Sequence, residues 1–178
     1  MLTSPFQILV DTREVKPWRF SNIPSRNGIG KILVRTKRFN LGNSCGDYTI
    51  EGASIREKHK WRISIERKSL SDLYTTIIGN RVRFIKELEN LNKMEYAAVV
   101  CEALHTRVLG YTAPHWTELG LPVEAQLKKR RQVAGSIRAW SVEYPRVHWW
   151  FLPRVQAEIW VYNLMNKFWE KKMKGKKK

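Results

Sequence analysis

The residues best suited to chemistry cluster between Trp61 and Asp72. Trp61, Ile63 and Ile65 alternate with Arg62 and Ser64, the period of two that marks a β-strand. Continuing that alternation puts Glu66 and Lys68 on one face, roughly 7 Å apart along the strand, and turns Arg67 to the other. A carboxylate and an ammonium so placed suit metal-assisted hydrolysis of a phosphodiester. The carboxylate can hold a divalent ion, and the lysine can steady the attacking water or the charge that develops at phosphorus. The same two residues would serve equally as an ion pair on an edge strand.

Two upstream carboxylates extend the pattern. Phe6 to Val10 is an apolar run of strand length that ends in Asp11, Thr12, Arg13 and Glu14, and Gly46-Asp47-Tyr48 opens a short strand through Ile50. Asp11, Asp47 and Glu66 are therefore the candidate metal ligands. Magnesium takes one or two carboxylates together with waters and substrate phosphate oxygens, and converging carboxylates without a cation raise one another's pKa. Each also has a plainer use: Asp11 as a cap, Asp47 as a turn residue after Gly46, Glu66 as an ion-pair partner. Lys68 is either the charge-stabilising lysine or a surface cation. Arg13 and Glu14, which follow the first aspartate, are also catalytic candidates: Arg13 can grip a phosphate with its fork, while Glu14 can instead pair with Arg67 and serve structure alone.

The elements that must position these residues follow from pattern. Strands are expected over 6–10, 31–36, 47–50, more weakly 54–58, and then 61–68, with a loop over 16–30. Ser69 and Asp72 form a Ser-x-x-Asp capping box, so a helix should begin there and run to about Ile78, broken at Gly79-Asn80. An amphipathic helix over 81–92 turns Val82, Ile85, Leu88 and Leu91 inward. Tyr96 to Cys101 reads as a strand buried on both faces and ends at Glu102. The segment 108–120 has no clear assignment; a helix over 121–144, a strand over 147–151 and a helix over 154–172 complete the chain. This order implies an α/β fold with a central mixed sheet flanked by helices, in one domain over 1–172 with a basic tail over 173–178.

In order along the chain, Asp11-Thr12-Arg13-Glu14, Gly46-Asp47-Tyr48, Glu66-Arg67-Lys68 and Asp72, continued by Gly79-Asn80-Arg81, resemble the nuclease domain of the XPF type (excision-repair cross-complementation group four), within the PD-(D/E)xK superfamily. The likeness covers roughly residues 6–105 and is closest to small viral or prokaryotic members. It implies a restriction-endonuclease-like fold and an endonuclease that cuts branched, flapped or junction DNA with Mg2+, or Mn2+ as a substitute. It also implies a homodimer. By the same resemblance Arg81 reaches a phosphate, while Asp72 and Glu102 belong to the acidic set, alongside Arg67 in structural or supporting roles. The helix-hairpin-helix module common in the family has no counterpart here. The rival reading is a non-catalytic module that binds DNA junctions.

Bulk properties agree with a polyanion partner. The 178 residues carry a net charge of +17, with 33 Lys and Arg against 16 Asp and Glu. Lys128, Lys129, Arg130 and Arg131, with the terminal lysines, form the sequence-independent electrostatic footprint. Two cysteines exclude a disulfide scaffold or an all-cysteine zinc site. No apolar run approaches the roughly 20 residues needed to span a bilayer, and no signal-peptide pattern opens the chain, so a cytoplasmic setting is expected (the host cytoplasm for a viral protein). In the last helix the apolar residues from Val155 to Trp169 cover far more than one stripe. One side, with Val161, Leu164 and Phe168, is expected to meet the core, leaving Ile159 and Trp160 for a second copy or, within one monomer, for the helix over 121–144.

Overall fold

The structure is a computed structural model that describes residues 2–25, 27–42, 46–52 and 62–174. The expected weak strand over 54–58, together with Trp61, Cys45 and the last four residues, lies outside them.

Among the described residues the strands are β1 (Leu2–Asp11), β2 (Ile32–Phe39), β3 (Tyr48–Ile50), β4 (Ile63–Lys68), β5 (Tyr96–Cys101) and β6 (Val147–Phe151). They form one mixed sheet in the order β2-β1-β3-β4-β5-β6. β1 pairs parallel with β2 and antiparallel with β3; β3 pairs antiparallel with β4; β4, β5 and β6 run parallel. The helices are α1 (Leu70–Gly79), α2 (Arg81–Leu91), α3 (His105–Leu109), α4 (Pro114–Glu118), α5 (Val123–Glu143) and α6 (Arg154–Lys174). The unassigned segment 108–120 thus holds α4 and the end of α3, each too short to leave a periodic signature.

The sheet separates two apolar cores. On one face α6 buries Ala157, Val161, Tyr162 and Met165 against Ile8, Val10, Tyr48, Ile63 and Ile65, with Trp18, Phe20 and Ile23 from the long loop closing that layer. On the other, α1, α2 and α5 cover Ala97, Val99 and Cys101 of β5. Burying each of the larger side chains stabilises by roughly 1.5–3 kcal/mol. β5 therefore feeds both cores, as its unbroken apolar run requires. Among the described residues no helix is long and apolar enough to cross a membrane.

Two helix faces differ from expectation. On α2 the buried residues are Phe84, Leu88 and Leu91, while Val82 is 72% exposed. The positions i, i+4 and i+7 from Phe84 align on one stripe, and the largest ring takes the core place. On α6, Leu164 and Phe168 are only partly buried beside Ile159 and Trp160, and Tyr162 is the aromatic that enters the core. α5 lies in the opposite core, so it does not cover the second side of α6.

Candidate active site

Gly46 explains how Asp47 reaches Glu66. A Cβ at position 46 would lie 2.6 Å from the Ile65 carbonyl oxygen and 2.9 Å from the Glu66 nitrogen. Only glycine allows this backbone to rest on β4, where its N–H donates to Ser64 Oγ at 2.7 Å. Asp47 follows at once, and its Oδ2 accepts the Arg67 N–H at 2.8 Å. Burial, reinforced by the Glu66 charge, pushes the Asp47 carboxyl well above the usual carboxylate range. Burial likewise raises Glu66, although Lys68 works against the rise. Asp47 thus lies in the field of the Glu66 charge, and among the described residues no hydrogen bond engages Oδ1 of Asp47 or Oε2 of Glu66.

Asp11 does not join them. Its Oδ1 accepts the backbone N–H of Arg13 at 2.7 Å and Arg13 Nε at 2.9 Å; its Oδ2 accepts Arg13 Nη2 at 3.2 Å and the Leu41 N–H at 3.0 Å. Burial works to raise its pKa, but these bonds and the guanidinium charge outweigh it and hold Asp11 below the ordinary range. The expected convergence of Asp11, Asp47 and Glu66 is not met: among the described residues no group of three acidic, histidine or cysteine side chains is placed to hold a metal ion. Arg13 is changed in the same way. Its fork closes on Asp11, and Nη2 also donates to the Gly42 carbonyl at 2.7 Å, so it is not open to grip a phosphate as a free fork. The plainer reading of Asp11, as a cap at a chain reversal, describes its contacts.

On the other face of β4, Arg67 builds a scaffold of charges. It donates to both oxygens of Glu102, at 2.9 and 2.6 Å, and to Glu14 at 3.2 Å. Glu102 Oε1 also accepts Trp18 Nε1 and Arg154, each at 2.7 Å. Glu14 thus pairs with Arg67, the structural alternative for that residue. Truncating one member of so buried a group would strand the opposite charge.

Lys68 lies on the Glu66 face, 2.9 Å from Glu66 Oε1 and 3.4 Å from Asp72 Oδ2, with its ammonium 5.1 Å from the centre of the Phe84 ring. Burial disfavours its charge, but Glu66 and Asp72 more than restore it, so its pKa rises. Ser69 caps α1, its Oγ accepting the Asp72 N–H at 3.2 Å. The reciprocal half of the expected box is absent, because the Asp72 carboxylate turns to Lys68 and Thr76.

These residues floor a cleft of about 930 Å3. One wall is the loop after β1, with Arg13, Glu14, Val15 and Lys16; the other is α2, with Arg83, Lys86, Glu87 and Asn90. The α2 wall was missed, and the spacing of Arg83, Lys86 and Asn90 at three and four residues was the signal that could have found it. Arg81, expected at the phosphate, does not line the cleft: it donates to Ser136 Oγ at 2.6 Å and stacks 4.6 Å from the Trp140 ring centre, joining α2 to α5. Nor do the four basic residues on α5. Arg130 donates to the Tyr111 carbonyl at 2.9 Å and to Thr112, and Lys129 covers Trp116, so these two brace α4 while Lys128 and Arg131 stay exposed.

With the fold and the cleft defined, the likeness to known structures can be placed. No protein-family model matches the chain, and no curated protein matches it in sequence. Its backbone matches XPF from Aeropyrum pernix in complex with DNA, with a TM-score of 0.53 at 18% identity over 93% of this chain and 66% of that one. It matches XPF from Aeropyrum pernix without DNA equally well, at 0.53 and 17% over 96% and 68%. The chain thus has an XPF-like nuclease fold, a six-stranded mixed sheet between helical layers. It spans about two thirds of the length of the neighbour bound to DNA.

Proposed function

We propose that the chain is a metal-dependent endonuclease acting on DNA at the cleft, with branched, flapped or junction DNA as its substrate. The observation that carries this is the pairing of Asp47 with Glu66: two carboxylates, both driven up by burial, beside an ammonium that keeps its proton. The fold supports it, as does the DNA bound to one structural neighbour. So does the rim, where Arg13, Lys16, Arg83 and Lys86 face the cleft on a chain of net charge +17.

Asp47 and Glu66 would hold a magnesium or manganese ion, which prefers few carboxylates and leaves room for water and phosphate oxygens. When bound, such an ion supplies Lewis acidity toward a phosphate oxygen and relieves the repulsion within the pair. Lys68, held protonated by Glu66 and Asp72, serves as a fixed cation beside the charge that grows on the phosphoryl oxygens, not as a general base. Asp11 orients Arg13 at the cleft edge. Glu14, Arg67 and Glu102 tie the loop after β1 to β4, joining one wall of the cleft to its floor. An in-line attack by water would leave a 5′-phosphate and a 3′-hydroxyl.

End-labelled flaps, junctions and linear duplexes incubated with Mg2+, with Mn2+ and with EDTA test the reading. Cleavage should need the metal, and Asp47→Asn and Glu66→Gln should abolish it while still binding DNA. Binding without cutting in either metal would favour a non-catalytic junction-binding module. The chain is also proposed to pair with a second copy through the edge formed by β6 and α6. There the rings of Trp150 and Trp160 lie 4.2 Å apart, with Trp150 37% exposed and Val155 66% exposed. Sedimentation equilibrium should show a dimer at micromolar concentration and a monomer for Trp160→Glu; a wild-type monomer would refute the pairing.

A further inference from the structure

The loop that joins β1 to Phe20 is pinned along its length. Arg38 donates to the carbonyls of Thr12 and Glu14 at 2.7 and 2.9 Å, and Glu14 Oε1 accepts the Lys16 N–H at 2.6 Å. Arg154, the first residue of α6, donates to the carbonyls of Lys16 and Pro17, both at 3.0 Å. The Trp18 N–H closes the series on the Tyr48 hydroxyl at 2.8 Å. At the tip of this fixed frame Val15 is 87% exposed and lines the cleft between Arg13 and Lys16.

A lone exposed valine is ordinary on a protein surface. This one is set apart by its place, since a rigid backbone holds an apolar side chain at the mouth of a charged cleft. Charge complementarity selects the occupant: Lys16 beside the valine, with Arg83 and Lys86 on the opposite wall, suits phosphates on either side of whatever the valine touches. The broadest apolar surface of such a polyanion is the face of a base. In continuous duplex bases are stacked and covered, whereas a branch point bares the face of a base step.

We propose that Val15 is a wedge that packs against the base step exposed where a DNA duplex branches, and so biases the cleft toward branched substrates. Apolar side chains use such contacts between base steps to hold unstacked DNA. The pinned loop serves this by keeping the tip in place, so that little order has to be gained on binding. The inference rests on the nuclease reading of the cleft for its substrate, but not for its readout.

The test uses the whole protein and DNA carrying 2-aminopurine at the branch point of a flap, in EDTA so that no cutting intervenes. Wild-type protein should brighten the fluorophore and prefer the flap to continuous duplex. Val15→Ser should lose the brightening and lower that preference about tenfold, the scale of one buried valine side chain. Val15→Ile should keep both. Melting curves check folding, and Val15→Thr, of the same shape, replaces the serine variant should that one unfold. Equal brightening and preference in the polar variant and wild type would overturn the wedge, as would no brightening by wild type. Val15-dependent brightening by a protein that cuts nothing in Mg2+ would support the wedge and sink the nuclease reading. Mg2+-dependent cutting with a branch preference indifferent to Val15 would do the reverse.

Discussion

Replacing Gly46 by alanine tests whether the fold delivers Asp47 to Glu66 through backbone contact. The new methyl would stand 2.6 Å from the Ile65 carbonyl oxygen and 2.7 Å from its carbon, both backbone atoms of β4. Ordinary contact begins at 3.4 Å, so the segment must withdraw by about 0.8 Å, because β4 is held on both sides by β3 and β5. Overpacking of this kind costs about 1–3 kcal/mol, which at 178 residues lowers Tm by roughly 2–12 °C. The functional loss should be larger, since a displacement near 1 Å at a reacting centre costs about 100-fold in rate. Metal titration by calorimetry should show weakened Mg2+ affinity as well, a readout that does not depend on turnover. Gly135→Ala is the control. Its Cβ meets nothing within 4 Å in the middle of α5, so it should stabilise by about 0.5–1 kcal/mol and leave Mg2+ binding alone. If Gly46→Ala bound Mg2+ and cut DNA like wild type, Asp47 would owe its position to something other than this contact.

Further outcomes follow from the charges. Asp47 holds its proton more tightly folded than unfolded, so its ionisation weighs against the fold: the penalty is absent below about pH 4 and grows as pH rises through the raised folded value. Without metal, Asp47→Asn should therefore melt above wild type at pH 8, with the gap closing toward about pH 4, and Mg2+ should raise the melting point of wild type alone; parallel curves would refute the assignment. Arg81→Ala should cost about 1–2 kcal/mol in denaturant titrations through its lost Ser136 bond and Trp140 stacking. Arg83→Ala with Lys86→Ala should instead weaken DNA binding and reduce the salt slope by about two. Burial pushes the Cys101 thiol up to about 12, so in a Cys45→Ser background native protein at pH 8 should resist thiol reagents until denaturant is added.

Where side-chain alternation dictated the outcome, the sequence was a reliable guide. Glu66 and Lys68 share one face of β4 and Arg67 takes the other, because period two leaves no freedom. β5 was readable as doubly buried from the opposite signal, an apolar run that does not alternate. What could not be read was competition between partners. Asp11 and Arg13 are two residues apart in a chain reversal, and the geometry of that turn, which no periodicity encodes, lets them consume each other. Arg81 and Arg83 look alike as letters; the rotation of α2, set by Phe84 entering the core, sends one to Trp140 and the other to the cleft. Arg130 of the basic run on α5 was equally hard to read, because α3 and α4 are too short to leave a pattern, and with them the carbonyl of Tyr111 that engages it.

The lining of the cleft runs only from Arg13 to Asn90, yet that half of the chain is not self-sufficient. Its sheet face of Ile8, Tyr48 and Ile65 is roofed by α6, and its loop is tied down by Arg154. Between the two halves sits an exposed turn, with Leu119 78% exposed and Gly120 at a φ of +61°. A break at that turn would part the molecule into one piece that owns all the cleft-lining side chains and another that owns their support. Neither piece could bury its apolar surface alone, and together they have every contact of the intact chain except one peptide bond. A chain cut at that turn should therefore assemble only when both fragments are present, and co-expression would make the cleft depend on two inputs at once.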